Sequence, residues 1–419
     1  MRSLEEIAAG VRDCVIEPIA LVEQAIRRAE ETAGLNAVVH LDVEGARKAA
    51  AAHDRTGPLA GVPVLVKEIV EVEGLPFRCG SLALDEVGRR DADVVRRLRA
   101  AGAIIIGLSH SHEFAYGCFG TSNRSGPCRN PRDPSRMTGG SSSGAAAAVA
   151  AGVVPLAIGT DTAGSVRIPA ALCGVVGFKP AYGTLSAEGV FPLSQSLDTV
   201  GVLTRTAVDA AYALSALAET PFDQQTSSPR LGVVTNPEYL NVTPEVGHAW
   251  SAMLDGLTRS GAVLTDVLLP DWATSFRTAA DLQGPEAVAN HAGRPIERYQ
   301  PDVQQRLREA AEVPPARYEQ AKEQAGVITA EVTDLLGQVD AVLMPTVLTT
   351  APPITAADTT DGGLAVRSQL LTNTRLANLT RHPAVSLPIP ADGLPVGLQI
   401  VAASNNQAAA VAGWIEAQR

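Results

Sequence analysis

The chain has 419 residues, of which 46 % are hydrophobic and 19 % are charged, and its formal net charge is −11. This balance supplies a large buried core and excludes the disordered class of proteins, whose chains combine low hydrophobicity with high net charge. The negative charge argues against a nucleic-acid or anionic-membrane partner. Five scattered cysteines without a CxxC pair are typical of free thiols in a reducing cytosol.

The N-terminal segment predicts helix, because apolar residues recur at helical spacing over residues 3–32. Its first residues are charged and lack an apolar h-region, so we expect no secretory signal and a cytoplasmic protein. The longest apolar stretch, 144–160, is interrupted by Gly152 and Pro155 and is too short to cross a bilayer. We therefore expect no membrane partner.

Further along the chain, short apolar runs alternate with helical patterns. A helix predicted at 92–101 stops at Gly102, which can take a left-handed C-terminal position. Strands that are apolar throughout are expected where both faces of a sheet are covered, as in layered α/β proteins. We therefore predict one α/β domain over residues 1–419, with 230–340 as a variable helical region over the site. Strands are predicted at 61–67, 103–107, 153–158, 231–234, 341–344 and 385–389, and a small-residue helix at 145–151.

Segment 117–143 has no periodicity and is rich in Gly, Ser, Asn, Pro and Arg. A long segment of this kind is usually functional or disordered, and we predict an ordered loop. Polar or Pro-rich joints are expected at 221–230 and 349–363. Neither has the character of a true linker, which agrees with a single domain.

Three short features could carry chemistry. The first, Gly139–Gly144, has the sequence GGSSSG and leads into the alanine-rich helix. Its glycines allow close backbone approach, and its hydroxyls lie where the N–H groups of a helix start are unpaired. The same pattern is also typical of an ordinary helix N-cap with a flexible lead-in.

The second feature, Asp161–Arg167, follows an apolar strand directly. Successive backbone N–H groups in a turn of small residues form an anion-binding nest, so a nucleophilic serine there would have an oxyanion hole beside it. The alternative is a tight strand–helix turn in which Asp161 and Arg167 form a structural ion pair.

The third feature is Lys67, at the end of a predicted strand. Burial disfavours the charged form of lysine and lowers its pKa, and a neutral lysine can act as a general base. The alternative is an ordinary strand-end lysine that reaches out to water.

Other catalytic patterns fit less well. Ser142 formally completes a G-x-S-x-G motif, but that elbow requires an apolar strand before it, and we predict no strand over 132–138. His110 and Glu113 lie in a His-Ser-His-Glu run that lacks further metal-ligand spacing, so packing or capping histidines are expected. No P-loop or dinucleotide-binding motif is present.

Taken together, these segments resemble the amidase-signature hydrolases over nearly the whole chain. Gly139–Gly144, Gly159–Ala170 and Gly177–Pro180 are similar to the long Gly/Ser-rich signature of that family, and Gly61–Lys67 is similar to its lysine strand. Three C-terminal stretches resemble further landmarks: Met344–Thr346, Ala351–Pro353 and Leu394–Gln399.

The resemblance implies a Ser-cisSer-Lys triad. Ser165 would be the nucleophile, Lys67 the base and Ser141, after a cis peptide, the bridging proton carrier. Other residues would build an oxyanion hole from backbone N–H groups or support it from behind: Thr162, Ala163, Gly164 and Ser165 as donors, and Ser142, Asp161 and Arg167 as supports. The implied amidase-signature fold has a central mixed β-sheet covered by helices on both faces. No metal or cofactor is expected.

Three positions depart from the commoner family pattern. Ser143 and Ala163 stand where glycine is frequent, and Glu68 follows the lysine where aspartate is common. Ala163 fits if its φ is negative, and Glu68 affects only the fine setting of Lys67. The triad itself is intact.

The function implied is hydrolysis of a small-molecule amide through an acyl-serine intermediate. Two alternatives stay open: the amidase-like subunit of an amidotransferase, for which the chain is rather short, and an acyl-transferring biosynthetic enzyme. The partners expected are the amide substrate and a second copy of the chain in a homodimer, without nucleic acid. Substrate choice is expected to depend on residues 112–130 and 275–320.

Overall fold

The computed structural model describes residues 2–222, 226, 228–357 and 360–418. Fourteen α-helices lie within these residues, and many begin at a helix-start signal in the sequence. Ser3, for example, caps the first helix in a capping box with Glu6. The helices are α1 Leu4–Arg12, α2 Pro18–Glu31, α3 Val43–Ala51, α4 Asp93–Ala100, α5 Ser143–Ala150, α6 Arg167–Cys173, α7 Ala207–Ala218, α8 Pro244–Arg259, α9 Trp272–Asn290, α10 Pro301–Ala311, α11 Pro315–Leu336, α12 Thr360–Leu371, α13 Arg375–Leu379 and α14 Asn405–Ala417.

Fifteen strands lie in the same described part of the chain. They are β1 Val38–Leu41, β2 Pro63–Lys67, β3 Pro76–Phe77, β4 Glu86–Val87, β5 Ile104–Ser109, β6 Arg129–Asn130, β7 Asp133–Met137, β8 Leu156–Asp161, β9 Val176–Lys179, β10 Thr199–Thr204, β11 Arg230–Val234, β12 Val263–Val267, β13 Ala341–Pro345, β14 Ala384–Ile389 and β15 Val396–Val401. Eleven form one mixed sheet in the order β1-β5-β2-β8-β10-β9-β14-β15-β13-β11-β12, and two small hairpins pair β3 with β4 and β6 with β7.

Helices cover both faces of the central sheet, as predicted. Neighbouring residues of β2 point to opposite faces, so Val64 and Val66 belong to a core that contains Leu98 of α4 and residues of α7 and α14. Leu65 belongs to a second core, built with residues of α2 and α5. The fold class expected from the sequence is therefore confirmed.

The register of the central strands determines where the site forms. β2 runs parallel to β8, with Val64 opposite Leu156 and Val66 opposite Ile158. Parallel strands end at the same edge of a sheet, and ligands of open α/β sheets bind at that edge. Lys67 and the turn that follows Asp161 therefore emerge side by side.

Several predicted boundaries are wrong in detail. The helix expected over 3–32 is two helices, because the chain turns at Cys14, whose φ is +57°, and Pro18 starts the second. The strand expected at 153–158 is displaced to Leu156–Asp161, since Pro155 immediately precedes it.

The predicted loop at 117–143 contains the hairpin β6–β7, so the prediction of no strand over 132–138 was wrong. Asp133–Met137 is polar and partly exposed, carries Pro134, and pairs with β6 rather than with the central sheet. Such a strand lacks the apolar run that reveals a strand in sequence, and proline is tolerated at a sheet edge. It is not the buried strand that a nucleophile elbow requires.

Segment 230–340 is mainly helical but also supplies β11 and β12, which pair parallel at one side of the main sheet. The predicted joints overlap residues 223–225, 227 and 358–359, which lie outside the described residues. Among the helices described, none combines the length and apolarity needed to cross a membrane.

Candidate active site

Lys67 ends β2 and is completely buried. Its Nζ lies 2.7 Å from Ser141 Oγ and 2.8 Å from Thr160 Oγ1, and donates to both hydroxyls when it is charged. Burial lowers the pKa of Lys67 to about 7, against the weaker opposing effects of the carboxylates of Asp161 and Asp198. The lysine therefore does not reach out to water, and a large neutral fraction exists near neutral pH.

Ser141 lies just before α5, and the Gly140–Ser141 peptide bond is cis, as the resemblance implied. Its side chain is fully buried, and its carbonyl accepts a hydrogen bond of 3.0 Å from the backbone N–H of His112. These contacts hold the hydroxyl of Ser141 against Lys67.

Ser165 follows β8 in the turn before α6 and is 7 % exposed, on the wall of a pocket. The N–H of Ser142 donates to its carbonyl at 3.1 Å, which ties this turn to the segment that carries Ser141. Within the described residues, Ser165 Oγ makes no hydrogen bond. The structure thus brings Lys67, Ser141 and Ser165 to one place, with only Ser165 facing the pocket.

The turn from Thr162 to Ser165 presents backbone N–H groups. In the described part of the chain, the N–H groups of Thr162, Ala163 and Ser165 make no hydrogen bond, whereas that of Gly164 donates to Asp161 Oδ1 at 2.8 Å. The N–H of Gly164 is therefore engaged with Asp161 in this structure, and its predicted donor role stays a prediction. The N–H groups of the other three residues are without a hydrogen-bond partner in the described part of the chain and are free to donate to a ligand.

The departures from the family pattern fit this turn. Ala163 does not have a positive φ. Gly164 does, with φ +118°, and a Cβ at that position would lie 2.4 Å from Thr374 Oγ1.

Glu68 makes no contact with the Lys67 amine. Its carboxylate accepts hydrogen bonds from the N–H groups of Gly80 and Ser111 and from Asn123, and burial raises its pKa.

Asp161 and Arg167 form a fully buried ion pair behind the turn, at 2.8 Å between Oδ1 and a guanidinium nitrogen. Burial alone would raise the pKa of Asp161, but the charge and hydrogen bonds of Arg167 outweigh it and hold that pKa well below its usual range. Arg167 also donates to Thr374 O, to Gln399 Oε1 and to Asn378 Oδ1. The pair is structural, and it also fixes the turn that carries Ser165.

Replacing Arg167 by Met should lower the free energy of unfolding by about 3–5 kcal/mol, because Asp161 would be left charged and unpaired in the interior. We would measure urea unfolding beside Lys322→Met, which removes an exposed pair with Glu319 and should leave the midpoint unchanged. Equal stability of the Arg167 variant and the wild type would show that the buried pair does not hold the turn.

Sequence reasoning missed several residues that complete the site. Thr160 contacts Lys67, and Asp198 accepts a hydrogen bond of 2.6 Å from Thr162 Oγ1, with a pKa raised to about 6 by burial. Asn378 and Gln399 hold Arg167 from positions more than 200 residues away in the chain. Gln399 lies in a recognised C-terminal landmark, but no pattern in the sequence indicated its partner.

The patterns rejected from the sequence have other roles. Ser142 Oγ accepts from the N–H of Thr160 and donates to its carbonyl, both at 3.2 Å, so this hydroxyl is turned away from the pocket and supports the strand end. His110 is bonded to Ser143 Oγ and Gly126 O, and His112 to Asp302, which fits packing histidines.

The pocket beside Ser165 is lined by residues from several parts of the chain. Residues 115–118 and Gln283 and Arg306 come from segments expected to set substrate choice, whereas Arg367, Leu371 and Arg375 come from α12 and α13, which were not expected there. Among the described residues, the lining carries three arginines and no carboxylate.

Comparison with known proteins identifies relatives of this chain. A sequence model of the Amidase family matches residues 20–410. The chain is 36 % identical to the 2-amino-5-chloromuconic acid deaminase of Comamonas testosteroni, over 95 % of this chain and 92 % of that protein. It is 34 % identical to a glutamyl-tRNA(Gln) amidotransferase subunit of Deinococcus radiodurans, over 98 % and 96 % of the two chains.

A crystal structure of an amidase superposes with a TM-score of 0.92 at 34 % identity, and the match covers 100 % of both chains. The family model and these alignments each span most of the sequence, including the segments that hold Lys67, Ser141 and Ser165. The chain therefore belongs to the Amidase family.

Proposed function

We propose that this protein hydrolyses the C–N bond of a small-molecule amide through an acyl-serine intermediate, with Ser165, Ser141 and Lys67 as the catalytic residues. The observation that carries the proposal is the buried contact of 2.7 Å between Lys67 Nζ and Ser141 Oγ. A lysine whose pKa is near 7 can accept a proton, and this one has a hydroxyl positioned to deliver it.

In the proposed reaction, Ser165 Oγ attacks the amide carbonyl carbon and passes its proton to Ser141, while Ser141 passes its own to neutral Lys67. The N–H groups of Thr162, Ala163 and Ser165 stabilise the oxyanion. The loss of one such donor typically costs on the order of 10²–10³ in rate. The proton then returns through Ser141 to the leaving nitrogen, the C–N bond breaks, and ammonia or an amine departs.

Water next attacks the acyl group of Ser165, and the same relay removes its proton. Collapse of the second tetrahedral intermediate releases a carboxylate and restores Ser165. No step requires a metal or a cofactor. An acyl acceptor other than water would give acyl transfer from the same intermediate, so the first half-reaction is common to both outcomes.

The experiment is a panel of primary, aryl and carboxylate-bearing amides, assayed for ammonia or amine release with and without hydroxylamine. We expect amide turnover, an acyl adduct on Ser165 by mass spectrometry, and hydroxamate formation at the expense of acid. An adduct on Ser142, or ammonia release without any adduct even when the reaction is quenched during the first turnover, would contradict the assignment.

A second candidate is the ammonia-supplying subunit of an amidotransferase. The alignment with the Deinococcus amidotransferase subunit over 96 % of its length favours it, and removes chain length as an argument against it. Activity of the purified chain alone would support the hydrolase, and activity only after addition of partner subunits would support this alternative.

We also propose that the protein is cytoplasmic and forms a homodimer. All five cysteines are free, which supports a reducing compartment. Light scattering of the purified chain would test the oligomeric state.

A further inference from the structure

The pocket beside Ser165 is positively charged in a protein of net charge −11. Arg306, Arg367 and Arg375 line it, and within the described residues no aspartate or glutamate lines it with them. The polar groups of a pocket determine the orientation and the charge of the ligand that it accepts.

Arg306 is already neutralised by the protein. It lies 3.0 Å from Asp302, donates to the carbonyl of Tyr116 and stacks over Phe119. Its Nη1 makes the contacts with Asp302 and Tyr116, so the positive charge of Arg306 already has a counter-charge within the structure.

Arg367 and Arg375 form no such ion pair within the described residues, and only the more distant carboxylate of Glu309 acts on Arg367. In the described part of the chain, Arg367 has no hydrogen bond or salt bridge. Arg375 is only 4 % exposed, makes one long hydrogen bond of 3.4 Å to the carbonyl of Phe276, and stacks on the Phe276 ring at 4.2 Å. Its buried Nε has no partner among the described residues.

Such an arrangement is unfavourable in the free protein. Burial, and then the charge of Arg367, lower the pKa of Arg375 to about 9, and burial also lowers the pKa of Arg367. A buried cation beside a partly buried one, neither with a salt bridge among the described residues, costs stability, and such groups persist where a ligand provides the missing charge. A guanidinium offers paired donors that match the two oxygens of a carboxylate.

We propose that Arg367 and Arg375 bind a carboxylate of the substrate while its amide carbonyl lies against Ser165. The substrate class is then the monoamide of a dicarboxylic acid. Because the described lining contains no acidic side chain, the ammonium group of an amino-acid amide such as glutamine would have no counter-charge there. The kinetic test of this inference rests on the proposed hydrolysis, whereas the binding test does not depend on it.

The kinetic test compares malonamate, succinamate and glutaramate with the corresponding neutral diamides, which have nearly the same shape. At the best chain length, kcat/KM should favour the anion by on the order of 10–10², the range for charge-assisted hydrogen bonds. In Arg375→Met and Arg367→Met this ratio should fall at least tenfold. In Arg308→Met, an exposed arginine of α10 outside the pocket, it should not change.

A ratio at or below one at all three lengths, or a preference for glutamine over glutaramate, would overturn the inference. A variant that lost activity equally on anions and diamides would also count against it, because that result indicates a general packing role.

The binding test uses the dicarboxylates malonate, succinate and glutarate, with sulfate at matched ionic strength as the salt control. At least one should raise the Tm of the wild type and fail to raise that of Arg375→Met. Free Arg375→Met should be at least as stable as the wild type, since it loses an unpaired buried cation. If it does not fold, Arg367→Met takes its place.

The two proposals fail in different ways. Stabilisation by dicarboxylates without turnover of any amide would support the anion site and contradict the hydrolysis. Turnover of diamides without any effect of dicarboxylates would support the hydrolysis and contradict the anion site.

Discussion

Ser165→Ala should reduce turnover by about 10⁴-fold or more, the scale on which loss of a catalytic serine acts, and should leave the fold intact. A methyl group cannot form the acyl bond, and Ser165 Oγ has no hydrogen bond among the described residues whose loss would destabilise the protein. The measurement is kcat with the best amide of the panel, together with the acyl adduct and the thermal midpoint.

Ser142→Ala is the matched comparison for that result. It removes a buried hydroxyl that bonds the backbone of Thr160, so it should cost about 1 kcal/mol of stability and still allow acyl-enzyme formation. If Ser142→Ala lost all turnover and Ser165→Ala kept near wild-type rates, Ser142 would be the nucleophile and the proposed triad would be wrong.

Lys67→Ala and Lys67→Arg should be almost equally damaging. Arginine keeps the positive charge but cannot accept a proton at any usable pH. In the wild type, kcat/KM should rise about tenfold per pH unit below pH 7 and level off above it, because the neutral lysine is the active form and its pKa is about 7. Both variants should lose this inflection.

Lys179→Met provides the control for the pH profile. Lys179 is also fully buried and also has a pKa lowered to about 7 by burial, but its amine donates to the carbonyl of Pro180. The variant should keep the inflection near pH 7. Strong rescue of activity by Lys67→Arg with an unchanged profile would show that the lysine acts by charge alone and that Ser165 has another activator.

The parts of the fold that sequence analysis predicted well are those with strong local signals. β2 and β5 are apolar on both faces, and α4 ends before Gly102, which has φ +86°. The strands near β13 and β14 were also found. β10, in contrast, was missed: Thr199–Thr204 has a central glycine and follows a polar loop, and its pairing with β8 and β9 defines it as a strand.

The candidate site divides in the same way. Lys67, Ser141 and Ser165 lie in motifs that are contiguous in sequence, so the family resemblance could identify them. The pairing of Arg167 with Asn378, and the approach of Arg375 to the pocket, join positions about 200 residues apart. A single sequence contains no periodic signal for such contacts, and only the assembled sheet and the helices above it bring them together.

The hydrogen bond between Arg167 and a residue of β15 has a consequence for synthesis of the protein. One guanidinium joins the turn beside Ser165 to Gln399, in a strand that inserts between β14 and β13 in the middle of the sheet. A ribosome-bound chain that has not yet passed residue 401 lacks that strand and leaves Arg167 and Asp161 without part of their support. Such a nascent chain should contain the whole signature motif and yet be inert towards amides. Catalytic activity should therefore arise late, when β15 takes its place between β14 and β13.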